Sequence, residues 1–312
     1  MEIGKIDQEE SFLKYFKMKT LNSRDGFLGL PKEIFSQNKV LIIPFGLEQT
    51  VSYEGGTKHG PQKIIKASHQ VELFDEELNI EPYKLFNIKT LKKFALGKNY
   101  KSSIIKLEKI ISNTINLKIF PITLGGEHSL TPSVIKSMLS KYKKITIIHI
   151  DAHADLRNSY LNDKYSHACA MKRCIDLKNV EIISIGIRNI SIGESIYLKK
   201  NKRKIQVFWA KDIKQWNYSL LSEKIKNQNV YVTIDVDALD SSLMPATGTP
   251  EPGGLFWNDI IKVLKTVCKK SNVIGADIVE LSPRKGLHAC DFLVAKLIYK
   301  FLSLKFTKKL IR

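Results

Sequence analysis

Ile145-Thr-Ile-Ile-His-Ile-Asp-Ala-His-Ala-Asp155 is the stretch whose reading decides the fold. It opens as a β-branched apolar run interrupted only by His149, the pattern of a strand buried on both faces of a parallel sheet. It ends in three side chains able to ligate a metal, Asp151, His153 and Asp155, spaced at i, i+2 and i+4. Alternate side chains of a strand face the same way, so residues two apart at its end can reach one ion together. Parallel α/β sheets carry their sites outside the carboxyl ends of the strands, where this cluster falls. A polar turn with a locally bonded His is the plainer alternative, and the rest of the chain decides between them.

Outward from that stretch, apolar runs at 40–45, 118–124, 181–187, 205–209, 230–236 and 273–279 read as further strands. Between them lie helical patterns. Pro61 suits a first helical turn ahead of Ile64, Ile65, Ser68 and Val71, and residues 102–115 place Ile104, Leu107, Ile111 and Ile115 on one face. Pro132 opens a helix with Val134, Ile135, Met138 and Leu139 inward, and residues 220–226 form another. Asn258 is placed to cap a helix carrying Ile260, Ile261, Leu264 and Val267, and residues 291–304 form a packed terminal helix. Strands alternating with helices imply βαβ crossovers and a parallel sheet covered on both faces, an α/β fold. The polar side chains of interest all fall just after strands.

The chain has 312 residues, 43% hydrophobic and 26% charged, which suits one large α/β domain and excludes a disordered chain. No linker, internal repeat or low-complexity tract divides it, so residues 1–312 are expected to form a single domain. The formal charge of +19 raises nucleic acid as a partner, but the basic residues are scattered. Their densest group, Lys199, Lys200, Lys202, Arg203 and Lys204, reads as a solvated helix end or loop. Cys169, Cys174, Cys268 and Cys290 form no C-x-x-C pair, and no secretory signal precedes them, which points to reduced thiols in a cytoplasmic protein. No apolar run is long enough to span a membrane.

His128, Asp151, His153, Asp155, Asp235 and Asp237 are the ligand-grade side chains at strand ends. Two imidazoles with four carboxylates suit hard or borderline ions such as Mn²⁺ better than thiolate-held Zn²⁺. Two divalent ions balance four carboxylates, and they would lower the pKa of a bridging water. Structural salt bridges and caps are the alternative, but burying four acids together without cations is costly.

Gly-Gly-Glu-His-Ser (125–129), Asp-Ala-His-Ala-Asp (151–155), Asp-Val-Asp (235–237) and Gly-Thr-Pro-Glu-Pro-Gly-Gly (248–254) occur in that order. This set resembles the ureohydrolase (arginase/agmatinase) family, with the match running from about residue 40 to the C-terminus. The resemblance implies a three-layer α/β/α fold with a mainly parallel sheet of about eight strands. It implies two Mn²⁺ per subunit and hydrolysis of a guanidinium to release urea. One ion would be held by His128, Asp151, Asp155 and Asp235, the other by His153, Asp151, Asp235 and Asp237. His167 takes the place of the family's proton-shuttling His and Glu280 that of the acid binding the guanidinium; Thr249 lies in the pocket loop. Asp277 is a candidate to orient a liganding imidazole from behind. The resemblance further implies a homo-oligomer, trimer or hexamer, with residues 1–39 as an N-terminal extension packing on or between subunits.

The substrate turns on residues 156–164, Leu-Arg-Asn-Ser-Tyr-Leu-Asn-Asp-Lys, which resemble agmatinases rather than the Asn-, Ser- and Thr-rich segment of arginases. Arg157 adds a cation there, either to attract a carboxylate tail such as that of guanidinobutyrate or to pair with Asp163 at the surface. Agmatine, yielding urea and putrescine, is the expected substrate, and other guanidino compounds are the runners-up. A deacetylase on a related fold would lack the second acid of the Asp-Ala-His-Ala-Asp motif and the dinuclear ligand set. A basic nucleic-acid-binding protein is the rival from outside the enzymes. Ser241 after Asp240 and the glycine-poor Pro245-Ala-Thr247 depart from the family pattern at the pocket loop.

Overall fold

A computed structural model of the chain describes residues 19–308. The strands are β1 (Lys39–Phe45), β2 (Asn87–Thr90), β3 (Phe120–Gly125), β4 (Ile145–Ile150), β5 (Val180–Ile187), β6 (Ile205–Trp209), β7 (Asn229–Asp235) and β8 (Asn272–Val279). They form one eight-stranded sheet in the order β2-β1-β3-β8-β7-β4-β5-β6, with every neighbouring pair parallel. The helices are α1 (Gly60–Ser68), α2 (Tyr100–Asn116), α3 (Thr131–Met138), α4 (Ala170–Ile175), α5 (Ile192–Lys200), α6 (Tyr218–Ile225), α7 (Trp257–Lys270) and α8 (His288–Phe306).

Side-chain alternation along each strand splits the core in two. Val40 and Ile42 of β1 join one half with α1, α6, α7 and α8, while Leu41, Ile43 and Phe45 join the other with α2, α3, α4 and Leu198 of α5. The expected three-layer α/β/α arrangement is the one observed.

Three short elements were not legible in the pattern. β2 is a four-residue edge strand, and α4 has only six residues, so neither develops a period. In α5, Ile192 and Ile196 are exposed, so no apolar stripe marks the helix. Its start is fixed by a capping box: Ser191 and Glu194 bond each other's backbone N–H groups. The expectation that Asn258 caps α7 is corrected: the helix begins at Trp257, and Asp259 reaches back to accept the N–H of Phe256 at 2.9 Å.

Of the N-terminal segment, Thr20 pairs with Leu91, and Phe27, Leu28 and Leu30 are buried in the first half-core. Residues 1–18 of the expected extension lie outside the described residues. Lys199, Lys200, Lys202, Arg203 and Lys204 are exposed at the end of α5 and the turn into β6. The four cysteines are free and buried. Among the described residues, no helix is long and apolar enough to cross a membrane.

Candidate active site

The four central strands β3, β8, β7 and β4 send their carboxyl ends to one place. His128 follows β3, Glu280 follows β8, Asp235 and Asp237 close β7, and Asp151, His153 and Asp155 follow β4. The chain passes from β3 to β4 over the positions of β8 and β7, which opens a crevice at the switch in strand order. Gly126 brings the loop after β1 close to it: a Cβ there would sit 1.9 Å from the carbonyl oxygen of Leu47. Asp155 and Glu280 have φ of +52° and +65°, left-handed conformations that are costly for side chains of this kind and tend to occur at functional sites.

The six side chains expected to ligate metal all lie together. Nδ1 of His128 faces Asp151 Oδ2 at 3.2 Å, Asp155 Oδ2 at 3.2 Å and Asp235 Oδ2 at 3.4 Å. Nδ1 of His153 faces Asp237 Oδ2 at 3.0 Å and Asp151 Oδ1 at 3.7 Å. Asp151 therefore belongs to both groups, one oxygen to each. Backbone N–H groups orient three of these carboxylates: that of His153 on Asp151 Oδ1 (2.6 Å), of Ala152 on Asp237 Oδ1 (3.1 Å) and of Asp237 on Asp235 Oδ1 (2.9 Å).

Whether these residues suit a cation is tested by His128. Its Nε2 lies 2.8 Å from Thr233 Oγ1, and that hydroxyl donates to Asp277 Oδ1 at 2.5 Å. Thr233 thus accepts from Nε2–H, and Nδ1 presents a lone pair. That buried nitrogen has no hydrogen-bond partner and looks onto three carboxylate oxygens. Acceptors facing acceptors away from water repel, and a divalent cation among them turns all of them into ligands. Asp277 does stand behind an imidazole as expected, acting through Thr233; its Oδ2 is held by Thr131 and Tyr231.

Without a cation the same nitrogen would have to take a proton instead. Burial disfavours a charged imidazole at His128, but the carboxylates of Asp151, Asp155 and Asp235, as acceptors, hold its pKa well above the ordinary value. Burial, followed by the charges of Asp237 and Asp151, pushes Asp235 well above the carboxylate range. Burial and then Glu127 do the same to Glu280. So much negative charge in one dry place calls for positive charge from outside the chain.

His167 sits across the crevice. Its backbone N–H donates to Thr50 Oγ1 at 3.0 Å, its Nδ1 lies 3.2 Å from the same oxygen, and its Nε2 lies 3.5 Å from Ser52 Oγ. Together with Glu280, Thr249 and Arg157 it lines a cavity of about 210 Å³ that also takes in His128, His153, Asp155, Asp235 and Asp237. Glu280 Oε1 accepts the N–H of His128 at 2.6 Å.

Arg157 does not pair with Asp163. Its Nε lies 3.8 Å from Glu194 Oε2 and its guanidinium rests over Tyr160, while Asp163 Oδ1 accepts the N–H of Tyr165. The loop geometry wins here, because Asp163 is turned back on its own segment by a bridge to Tyr160.

Several contributors escaped the sequence reading. Glu127 accepts the N–H groups of Gln49 and Thr50 with one oxygen and the hydroxyl of Ser129 with the other. Glu251 lines the cavity, held by the amide of Asn189 and lying 3.7 Å from His153 Nε2. Arg188 donates to the carbonyls of Asp237, Leu239 and Glu251, joining the end of β7 to the pocket loop. Glu127 lay inside a quoted motif and Glu251 in another; Thr50, Thr233 and Arg188 had no local signal.

An all-parallel α/β sheet with paired His/carboxylate groups at its switch point is the framework of a metal-dependent hydrolase. Residues 38–303 match the model of the Arginase family. The chain is 32% identical to the N(1)-aminopropylagmatine ureohydrolase of Synechocystis sp., over 86% of this chain and 90% of that protein. It is 33% identical to the agmatinase of Bacillus cereus, over 80% of this chain and 85% of that one. The agmatine ureohydrolase of Thermoplasma volcanium superposes with a TM-score of 0.74 at 30% identity, covering 88% of this chain and 92% of that chain. The chain belongs to the arginase family of ureohydrolases.

Proposed function

We propose that the protein hydrolyses the guanidinium of agmatine to urea and putrescine, with two Mn²⁺ held by His128, Asp151, Asp155 and Asp235 and by His153, Asp151, Asp235 and Asp237. The reading is carried by one observation: the buried, partnerless Nδ1 of His128 and its ring of carboxylates open into the cavity that Glu280 and His167 line. Bound there, the two ions would supply an acidified water as nucleophile. The rest is the work of side chains. Glu280, with Oε1 committed to His128, offers its other oxygen to the planar guanidinium and turns the carbon toward the ligand cluster. The cation in turn favours the ionised form of a carboxyl that burial disfavours. His167, held by Thr50 and Ser52, gives the departing amine its proton. Thr249 borders the substrate.

A cationic tail is supported by the cavity's charge. Glu251 and Glu280 add carboxylates to those of the ligand cluster, and Arg157 is shared with Glu194 rather than free for a carboxylate. Release of urea with Mn²⁺ from agmatine, N(1)-aminopropylagmatine, arginine and guanidinobutyrate tests this. Agmatine should exceed arginine by at least about tenfold in kcat/KM, about 1.4 kcal/mol of transition-state binding. Arginine as the best substrate would overturn the assignment. N(1)-Aminopropylagmatine is the second reading, favoured by the name of the Synechocystis relative. A cytoplasmic trimer or hexamer, built from the single domain with its N-terminal extension, completes the proposal.

A further inference from the structure

His149 is a buried imidazole beside the ligand groups that the proposed reaction leaves unused. It is fully buried at the end of β4, where an imidazole is costly unless both nitrogens are satisfied. Both are. Nε2 lies 2.7 Å from Asp151 Oδ2, and Nδ1 lies 3.1 Å from Ser184 Oγ. The contacts follow from the sheet. Asp151 is two residues on and turns the same way, and Ser184 is the register partner of His149 on β5.

A carboxylate only accepts, so Nε2 carries the proton and Nδ1 accepts from the Ser184 hydroxyl. Asp151 is the carboxylate that faces both liganding imidazoles, and each of its oxygens has one N–H donor. Oδ1 takes the backbone of His153 at 2.6 Å and Oδ2 takes His149. The other imidazoles near that carboxylate are those of the expected ligands, His128 on Oδ2 and His153 on Oδ1.

We propose that His149 is a positioning residue that fixes the Asp151 carboxylate so that its two oxygens serve two metal ions at once. The inference rests on the dinuclear reading. It differs from a role as a further ligand, which its closeness to His128, Asp151 and Asp155 would also allow. The two roles separate on substitution. His149→Gln keeps a side-chain N–H near the position of Nε2, whereas His149→Leu removes it.

The test is titration of the metal-free chain with Mn²⁺ alone, followed by calorimetry and by the electron paramagnetic resonance of the exchange-coupled pair. His149→Leu should bind Mn²⁺ about 10–100-fold more weakly, the effect of losing an outer partner of a ligand, and show a diminished coupled signal. His149→Gln should restore most of both. Wild-type affinity and an unchanged coupled signal in His149→Leu would overturn the proposal. So would loss of one ion outright in both variants, which would make the ring a ligand. If His149→Leu does not fold, Ser184→Ala carries the test, because it leaves the ring but frees its tautomer. It should weaken binding in the same direction, and wild-type affinity there would overturn the proposal. Wild-type protein taking up fewer than two ions would instead sink the dinuclear reading, and this inference with it.

Discussion

The buried carboxylate of Glu127 accepts the backbone N–H of Thr50 at 2.7 Å, tying the loop after β1 to the turn after β3. Thr50 passes that order on to His167, because its single hydroxyl oxygen meets both the backbone N–H and Nδ1 of that residue. When both ring nitrogens carry protons, Nδ1–H donates to that oxygen and Nε2–H is left for a departing amine to collect, which returns the ring to its neutral form. Thr50→Val keeps the volume and loses both contacts. With roughly 1 kcal/mol at stake for each of the two hydrogen bonds, kcat should fall by up to about thirtyfold with metal content unchanged. An unaltered kcat would show that His167 is held by other means.

Asp151 and Asp237 differ in the number of groups they join, and metal content should report it. Asp151 faces both imidazoles, whereas Asp237 faces His153 alone. Asp151→Ala should therefore lose both ions on dialysis, and Asp237→Ala should keep close to one per chain. Equal retention by the two variants would contradict the division into two groups that share Asp151.

The strands and the directional pattern of polar side chains after them were readable because β4, β7 and β8 are mainly apolar, β-branched runs that end abruptly in acids. The six expected ligands were readable for the same reason: each lies within a few residues of a strand end. What was not readable acts across long separations. Thr50 and His167 are 117 residues apart, and His128 and Thr233 are 105 apart, so no local period links them. His149 showed itself only as an interruption in an apolar run, and its meaning appears when β5 brings Ser184 alongside. The position of Arg157 was undetermined because Glu194 meets it only after α5 has folded back.

Asp240 closes the pocket loop, whose stability should therefore depend on pH. Its carboxylate accepts the hydroxyl and N–H of Ser242 and the N–H groups of Gly253 and Gly254. The hydroxyl of Ser242, with the backbone N–H groups of Gly254, Ser242 and Gly253, lowers its pKa from 3.8 to about 2. A depressed acid contributes stability that is present above the unfolded value and lost as pH falls through the folded one. Asp240→Asn should thus melt below wild type at neutral pH. The gap should narrow as pH drops from about 4 toward 2. A gap that stays constant across that window would mean the loop does not depend on the charge.

Glu280 and His167 should fail in different ways. Both line the cavity, and neither belongs to the two ligand groups, so variants of both should keep their manganese. Glu280→Gln preserves the shape and an acceptor for the His128 N–H, but removes the charge that meets the guanidinium. Losing charge-assisted hydrogen bonds to a planar cation should cost about 3 kcal/mol, roughly a hundredfold in kcat/KM. No added small molecule should restore it. His167→Ala should instead lower mainly kcat, by about 10²–10⁴-fold for the loss of general acid help, and added imidazole should recover part of it. The decisive measurement is urea release by both variants at matched metal content. Near wild-type turnover in Glu280→Gln would move the guanidinium anchor elsewhere, and metal loss in His167→Ala would make that imidazole a structural support of the centre.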